Sequence, residues 1–302
     1  MSEKKKLFLV YIAVLSTMII WGTSFVWSKI ALEYYSSFTI VFFRLVISSI
    51  ILILISVISR NFVRLEKKHI PIFLLLSLFQ PFLYFIGETT GLNYVSPPVA
   101  AILIALIPLL TPFAALIFLS EKISILNFVG IIISLLGIIL VIFEKDLSLI
   151  IAWEGLALMF LAVFAAISYA IIVKKLPAKY SAFNIVLYQN IIGMFYFLPI
   201  VLIFFTDNII EVGFNKNVFI VILQLGFFAS TIAFLLFVYA LKRLSITKVN
   251  VFTNVIPVFT LIVSWILLKD MILWHQIIGV FIVITGVTVS QLRFKRKKNK
   301  NV

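Results

Sequence analysis

The chain has 302 residues, 64% of them hydrophobic and 12% charged, with a mean hydropathy of +1.24. Soluble globular domains carry about 25% charged residues, so that class is excluded. The continuous apolar runs exclude a β-barrel, whose strands alternate. The net charge of +14 does not indicate nucleic-acid binding, because the positive residues gather between apolar runs, where a membrane protein carries them.

A bilayer core of about 30 Å takes roughly 20 helical residues. Ten stretches meet that length: about 7–29, 37–59, 70–90, 96–119, 123–143, 153–173, 181–205, 217–240, 246–268 and 273–292. The fold class predicted is therefore an all-α integral membrane protein with ten transmembrane helices. The first run follows three lysines but is too long for the apolar part of a signal peptide, and it is read as helix 1. Along it Thr17, Trp21, Ser24 and Ser28 recur at spacings of four, three and four, a stripe suited to the wall of a cavity for an amphipathic solute. The other reading of the stripe is hydroxyls bonded to their own backbone.

Helix 2 carries Arg44, about 10 Å deep at 1.5 Å per residue, and Arg44 is the one base at that depth. Helix 3 carries Gln80, Tyr84 and Glu88 at i, i+4 and i+8, on one face of a regular helix. Apart from Glu154 at the start of helix 6, Glu88 is the one carboxylate inside a span. Charges at membrane depth are costly and point to function; Arg44 and Glu88 form either a static ion pair or a site where one of them releases to substrate or proton. Pro108 on helix 4 and Pro257 on helix 9 each remove a helical hydrogen bond and predict kinks. Helix 6 has small residues at Ala162, Ala166 and Ala170, a spacing that lets membrane helices approach closely, and carries Ser168 and Tyr169 beside them. Helix 7 adds Gln189 and Asn190, and helix 9 adds Asn250, Thr253 and Asn254. Each amide serves either as interhelical glue or as cavity lining. Glu121 and Asp270 sit in turns and read as solvated or capping charges. There is no cysteine, and His69 and His275 lie near span ends. No metal site and no cofactor are predicted.

The chain repeats itself. Ser96, Ile107, Pro108, Thr111, Gly130, Ile133 and Gly137 recur 149 positions later as Ser245, Ile256, Pro257, Thr260, Gly279, Ile282 and Gly286, and Tyr35-Ser36-x-Phe38 recurs 145 positions later as Tyr180-Ser181-x-Phe183. The predicted division is a first five-helix unit over 1–143, an external linker over 144–152 and a second unit over 153–302 that ends in a basic tail. With the N-terminus inside, twenty Lys and Arg fall on the cytoplasmic side and four outside, so both termini are expected in the cytoplasm. Five spans per unit makes the repeats inverted, a construction of secondary transporters.

Trp21-Gly22-Thr23-Ser24-Phe25, Phe42-Phe43-Arg44, the run Gly91-Leu92-Asn93-Tyr94-Val95-Ser96-Pro97-Pro98 and Phe118-Leu119-Ser120-Glu121-Lys122 resemble the drug/metabolite transporter superfamily, in its ten-helix EamA-like branch. In the second half Gln189 stands where Arg44 would recur and Asp270 where Glu121 would. The resemblance implies movement of small metabolites, among them amino acids, nucleobase compounds and sugar derivatives, through a central cavity. The expectation is a non-enzymatic secondary transporter, in the export direction, in the cytoplasmic membrane, working by alternating access. Its partners are a small-molecule substrate, the lipid bilayer and, as a candidate coupling ion, the proton; the oligomeric state is left open with a monomer as one reading, and nucleic acid is not a partner. The competing readings are a channel-like facilitator, an embedded enzyme and a sensor. No phosphate-binding loop of the G-x-x-x-x-G-K-[ST] type is present, so ATP is not the direct energy source.

Overall fold

A computed structural model describes residues 3–60, 62–119, 125–142, 152–269 and 273–291. These residues form helices, turns and loops and no strand. The elements are α1 (Glu3–Leu32), α2 (Ser37–Ser59), α3 (Lys67–Gly91), α4 (Pro97–Ile104 and Ile107–Leu119), α5 (Ile125–Ile142), α6 (Trp153–Lys175), α7 (Ala182–Phe204), α8 (Lys216–Leu241), α9 (Ile246–Leu267) and α10 (Trp274–Gln291). All but α5 and α10 are long and apolar enough to cross a membrane, eight in number among the described residues. The apolar parts of α5 and α10 are shorter, Phe128–Leu140 and Ile277–Val289. Glu121, Asp270, residues 144–151 of the linker and the basic tail from Arg293 lie outside the described residues.

The helix starts follow from local chemistry. Ser36 Oγ accepts from the Thr39 amide, and Ser181 Oγ accepts from the Asn184 amide, both at 3.2 Å. Each Tyr-Ser step thus caps the N-terminus of its own helix, satisfying an amide that has no intrahelical partner. The connection 60–66 between α2 and α3 is four residues shorter than 205–215 between α7 and α8. That difference accounts for the change of repeat offset from 145 to 149, and the longer connection uses its extra length for a short helix, Thr206–Val212.

Small residues set the close approaches. A Cβ on Gly87 of α3 would fall 2.4 Å from Leu158 O of α6, beside Ala162. Between α5 and α10 the contacts are reciprocal and antiparallel. A Cβ on Gly137 would lie 2.7 Å from Gly279 O, and one on Gly286 would lie 2.6 Å from Gly130 O. Midway between them, Ser134 Oγ donates to Val283 O at 3.1 Å, and Val283 is the position 149 residues from Ser134.

Four helices, α3, α4, α8 and α9, are irregular, whereas α7 stays unbroken through Pro199. Pro108 has no N–H to give Ile104, and α4 turns at 105–106 between its two pieces. Before Pro257, α9 tightens into a 3₁₀ turn over Val251–Asn254. The uninterrupted helix predicted for 70–90 is not what forms. Residues Leu78–Leu83 widen into π turns, Gln80 leaves helical geometry at φ −147° and ψ 117°, and the Gln80–Pro81 bond is cis. The equivalent part of α8, Leu225–Ala233, is also a π segment.

Candidate functional site

Residues of α1, α2, α3, α4, α6, α8 and α9 enclose two clefts deep in the bundle. The first, of about 230 Å³, is lined by Trp21, Ser24, Phe25, Arg44, Tyr84, Phe85, Glu88 and Phe234. The second, of about 370 Å³, is lined by Trp21, Gln80, Tyr84, Ile104, Ile107, Ala166, Phe237, Asn250, Thr253 and Ile256. Trp21 and Tyr84 belong to both and form the partition. The break in α3 explains the division. It turns Gln80 away from the regular i, i+4, i+8 row, so Gln80 lines one cleft and Glu88 the other, while Tyr84 between them reaches both.

Charge is concentrated in the first cleft. Arg44 is 1% exposed and Glu88 is 2% exposed, so Glu88 is fully buried. The ion pairs within 4.0 Å among the described residues all involve Glu66; Arg44 and Glu88 share a cleft without forming one. Arg44 Nε donates to Ser230 Oγ at 2.8 Å, and its guanidinium carbon lies 4.2 Å above the Phe85 ring, a cation–π placement. Its Nη1 is buried with no hydrogen-bond partner. Glu88 Oε2 accepts from Thr89 Oγ1 at 3.1 Å.

The aromatic walls are fixed. Trp21 Nε1 donates to Ala229 O at 3.3 Å, and its ring lies 5.2 Å from Phe234 and 4.9 Å from Phe237. That acceptor is a backbone carbonyl in the π segment of α8. Thr17 Oγ1 likewise reaches Ala233 O at 3.2 Å, besides Ala13 O of its own helix at 2.9 Å. Ser24 Oγ donates to Trp21 O at 2.8 Å. Within this stripe Thr17 and Ser24 bond to helix carbonyls, Ser28 Oγ is buried without a partner, and Trp21 lines both clefts.

Five of the sequence-derived candidates stand outside the clefts. Tyr169 Oη donates to Gln189 Oε1 at 2.7 Å, joining α6 to α7. Asn190 Nδ2 donates to Ser48 Oγ at 2.7 Å and to Ser230 O at 3.0 Å. With Ser48 Oγ 2.6 Å from Thr231 Oγ1, these groups knot α2, α7 and α8 together directly behind Arg44. Ser168 is half-buried, and Asn254 is buried beside the second cleft with an unpartnered Oδ1. Asn250, which does line a cleft, donates from Nδ2 to Thr111 Oγ1 at 2.8 Å. The sequence reading passed over Ser48, Ser230 and Thr231, and took Thr111 only as a repeat position. All four are hydroxyls at membrane depth, the same signal that singled out the amides.

The sequence profile of the EamA-like transporter family matches residues 8–143 and again 153–291. An uncharacterized transporter of Archaeoglobus fulgidus is 28% identical over 279 residues, covering 92% of this chain and 97% of the relative. The uncharacterized transporter YetK of Bacillus subtilis is 25% identical over 297 residues, covering 95% and 88%. A protein of solved crystal structure superposes with a TM-score of 0.70 at 14% identity, over 93% of this chain and 96% of that one, a likeness of fold.

Proposed function

We propose that this chain, which belongs to the EamA-like transporter family, exports small amphipathic metabolites, with amino acids the leading class, by alternating access across the cytoplasmic membrane. The observation that carries the reading is the first cleft. It holds a buried guanidinium and a buried carboxylate that do not neutralise each other directly, set among aromatic rings. An unpaired buried polar nitrogen costs about 1–3 kcal/mol, so Arg44 Nη1 is a waiting donor for a ligand carboxylate. Glu88 is the complementary partner for an ammonium group or a proton. Gln80 and Asn250 in the second cleft supply uncharged hydrogen bonding, while Ser168, Tyr169, Gln189, Asn190 and Asn254 act by holding the walls.

At about 230 and 370 Å³ the clefts lie below and at the lower end of the roughly 300–1,000 Å³ of ligand pockets, which accords with a conformation closed around the site. Two further parts of the reading concern the whole chain: ten spans with both termini in the cytoplasm, and two inverted five-helix halves. The loop charges support the first. The antiparallel, reciprocal contacts of α5 with α10 support the second, because exchanging the two helices requires a two-fold axis across them and not along them.

The test is uptake into proteoliposomes from a metabolite panel, with and without a pH gradient, alongside Arg44→Ala. Transport of a carboxylated solute should fall at least tenfold in the variant while the yield of folded protein changes far less. A variant that loses folded protein in proportion to activity would make Arg44 a structural residue, and no uptake of any solute by the wild type would remove the transport reading.

A further inference from the structure

The Tyr-Ser step that occurs twice in the sequence does more than cap α2 and α7. Tyr180, at the foot of α7, reaches the connection between α2 and α3. Its hydroxyl accepts from the Glu66 amide at 3.3 Å and lies 3.0 Å from His69 Nδ1. Around it Lys179 forms an ion pair with Glu66, and Lys68 forms another at 3.1 Å. Tyr188 Oη donates to Val63 O at 2.9 Å and accepts from the Leu65 amide at 2.9 Å, and the Val63 amide donates to Asn184 Oδ1 at 3.0 Å. Apart from the Lys68–Glu66 pair, which lies within the first half, each of these contacts joins the first half of the chain to the second.

Tyr35, at the foot of α2, makes the mirror-image contact. Its hydroxyl donates to Gly213 O at 2.7 Å in the connection between α7 and α8, and the Ser36 amide donates to Asn208 Oδ1 at 3.2 Å. Phe38 stacks on Phe205 of that connection at 5.3 Å. Equivalent tyrosines therefore tie opposite halves together at opposite ends of α2 and α7, which pack side by side.

The two ties differ in kind. Tyr180 is fully buried and wedged edge-on against Phe73 at 5.1 Å, while Tyr35 is half-buried and its bond is exposed. The Tyr180 side is charge-assisted. Lys179 and Lys68 hold the Glu66 carboxyl down at about 2, and the same pairing holds Lys179 above its ordinary value. These pairs are exposed and screened by water, so the greater firmness of this side rests on its larger set of cross-half hydrogen bonds from Tyr180, Tyr188 and Asn184.

We propose that Tyr180 and Tyr35 are paired access latches, one per membrane face, and that the stronger Tyr180 latch keeps the resting protein shut on the face of the α2–α3 connection. This rests on the alternating-access reading above: opening either face separates the halves there, and so breaks that face's tie and leaves the other intact. By the charge distribution the firmly held face is the cytoplasmic one.

The chain has no cysteine, so one introduced thiol reports alone. With Ser24→Cys as the reporter, labelling by a membrane-impermeant maleimide is measured from each side of oriented vesicles. Tyr180→Phe should raise labelling from the α2–α3 side relative to the other side by about two- to tenfold, the factor one neutral hydrogen bond is worth. Tyr35→Phe should shift the ratio the opposite way. Glu66→Gln removes the ion pairs at an exposed position, so it serves if Tyr180→Phe folds poorly, and it should move the ratio in the same direction as Tyr180→Phe. Unchanged ratios, or the same change from both tyrosine variants, would overturn the latches. A wild-type reporter that no reagent reaches from either side would instead overturn alternating access itself; the readout needs no substrate and separates the two failures.

Discussion

At the scale of single residues, Glu88 carries the sharpest consequence. It is buried in the same cleft as Arg44 with one short-range donor, Thr89. Glu88→Gln keeps its shape and one carbonyl acceptor while removing the proton-dependent charge. If Glu88 carries the coupling proton, gradient-driven accumulation should fail in this variant while substrate counterflow survives. If it serves only as a counter-charge for Arg44, both activities should fall together with thermal stability, because breaking a buried charge interaction leaves its partner uncompensated. Normal gradient-driven accumulation would remove Glu88 from coupling. The cleft's charged members were legible in the sequence because a charge inside an apolar run has few alternatives. Trp21 and Tyr84 also stood out, but Phe85 and Phe234 did not: they are two of 31 phenylalanines, and only their positions against Trp21 and Arg44 set them apart.

At the scale of elements, helix positions were legible almost throughout, since each is an apolar run ended by polar residues and turn formers. α2 was expected at 37–59 and forms over Ser37–Ser59. Proline marked the interruptions of α4 and α9 for the same local reason. The break of α3 had a local sign that was passed over, Pro81, while the π segment of α8 has none and instead meets partners distant in sequence. The carbonyls of Ala229, Ser230 and Ala233 accept from Trp21, Asn190 and Thr17, which lie up to 216 residues away. Packing between elements is sharp enough to test. Gly87 leaves no room for a side chain against the backbone of α6, so Gly87→Leu must push α3 and α6 apart. Overpacking of this kind costs about 1–3 kcal/mol, and a fall in melting temperature with reduced yield is expected. A variant as stable as the wild type would show that the two helices slide freely.

At the scale of the whole molecule, the loop charges make a claim about orientation that packing alone does not. Reporter fusions at Asp146 and at Asn299 should label opposite sides of the membrane, with Asn299 inside. Labelling of both from one side would undo the ten-span topology and the assignment of the Tyr180 face to the cytoplasm with it. The internal contacts between α5 and α10 would stand regardless, since they follow from glycine and serine spacing.

The widened turns of α8 also govern what the chain tolerates in length. Removing one residue from a regular helix rotates everything beyond it by about 100° and draws it back about 1.5 Å, which for a packed membrane helix misplaces a whole face. A π turn holds one residue more per hydrogen-bonded ring than an α turn. Deleting Phe227, whose side chain is exposed, therefore lets Leu225–Ala233 close up as ordinary helix with Phe234–Leu241 still in register. The carbonyls offered to Trp21, Asn190 and Thr17 would be withdrawn in the same step. The expected product is a chain one residue shorter that elutes as folded protein and moves nothing, whereas deleting Ile53 from the unbroken α2 should abolish folding; equal yields from the two deletions would show that the widened segment has no such slack.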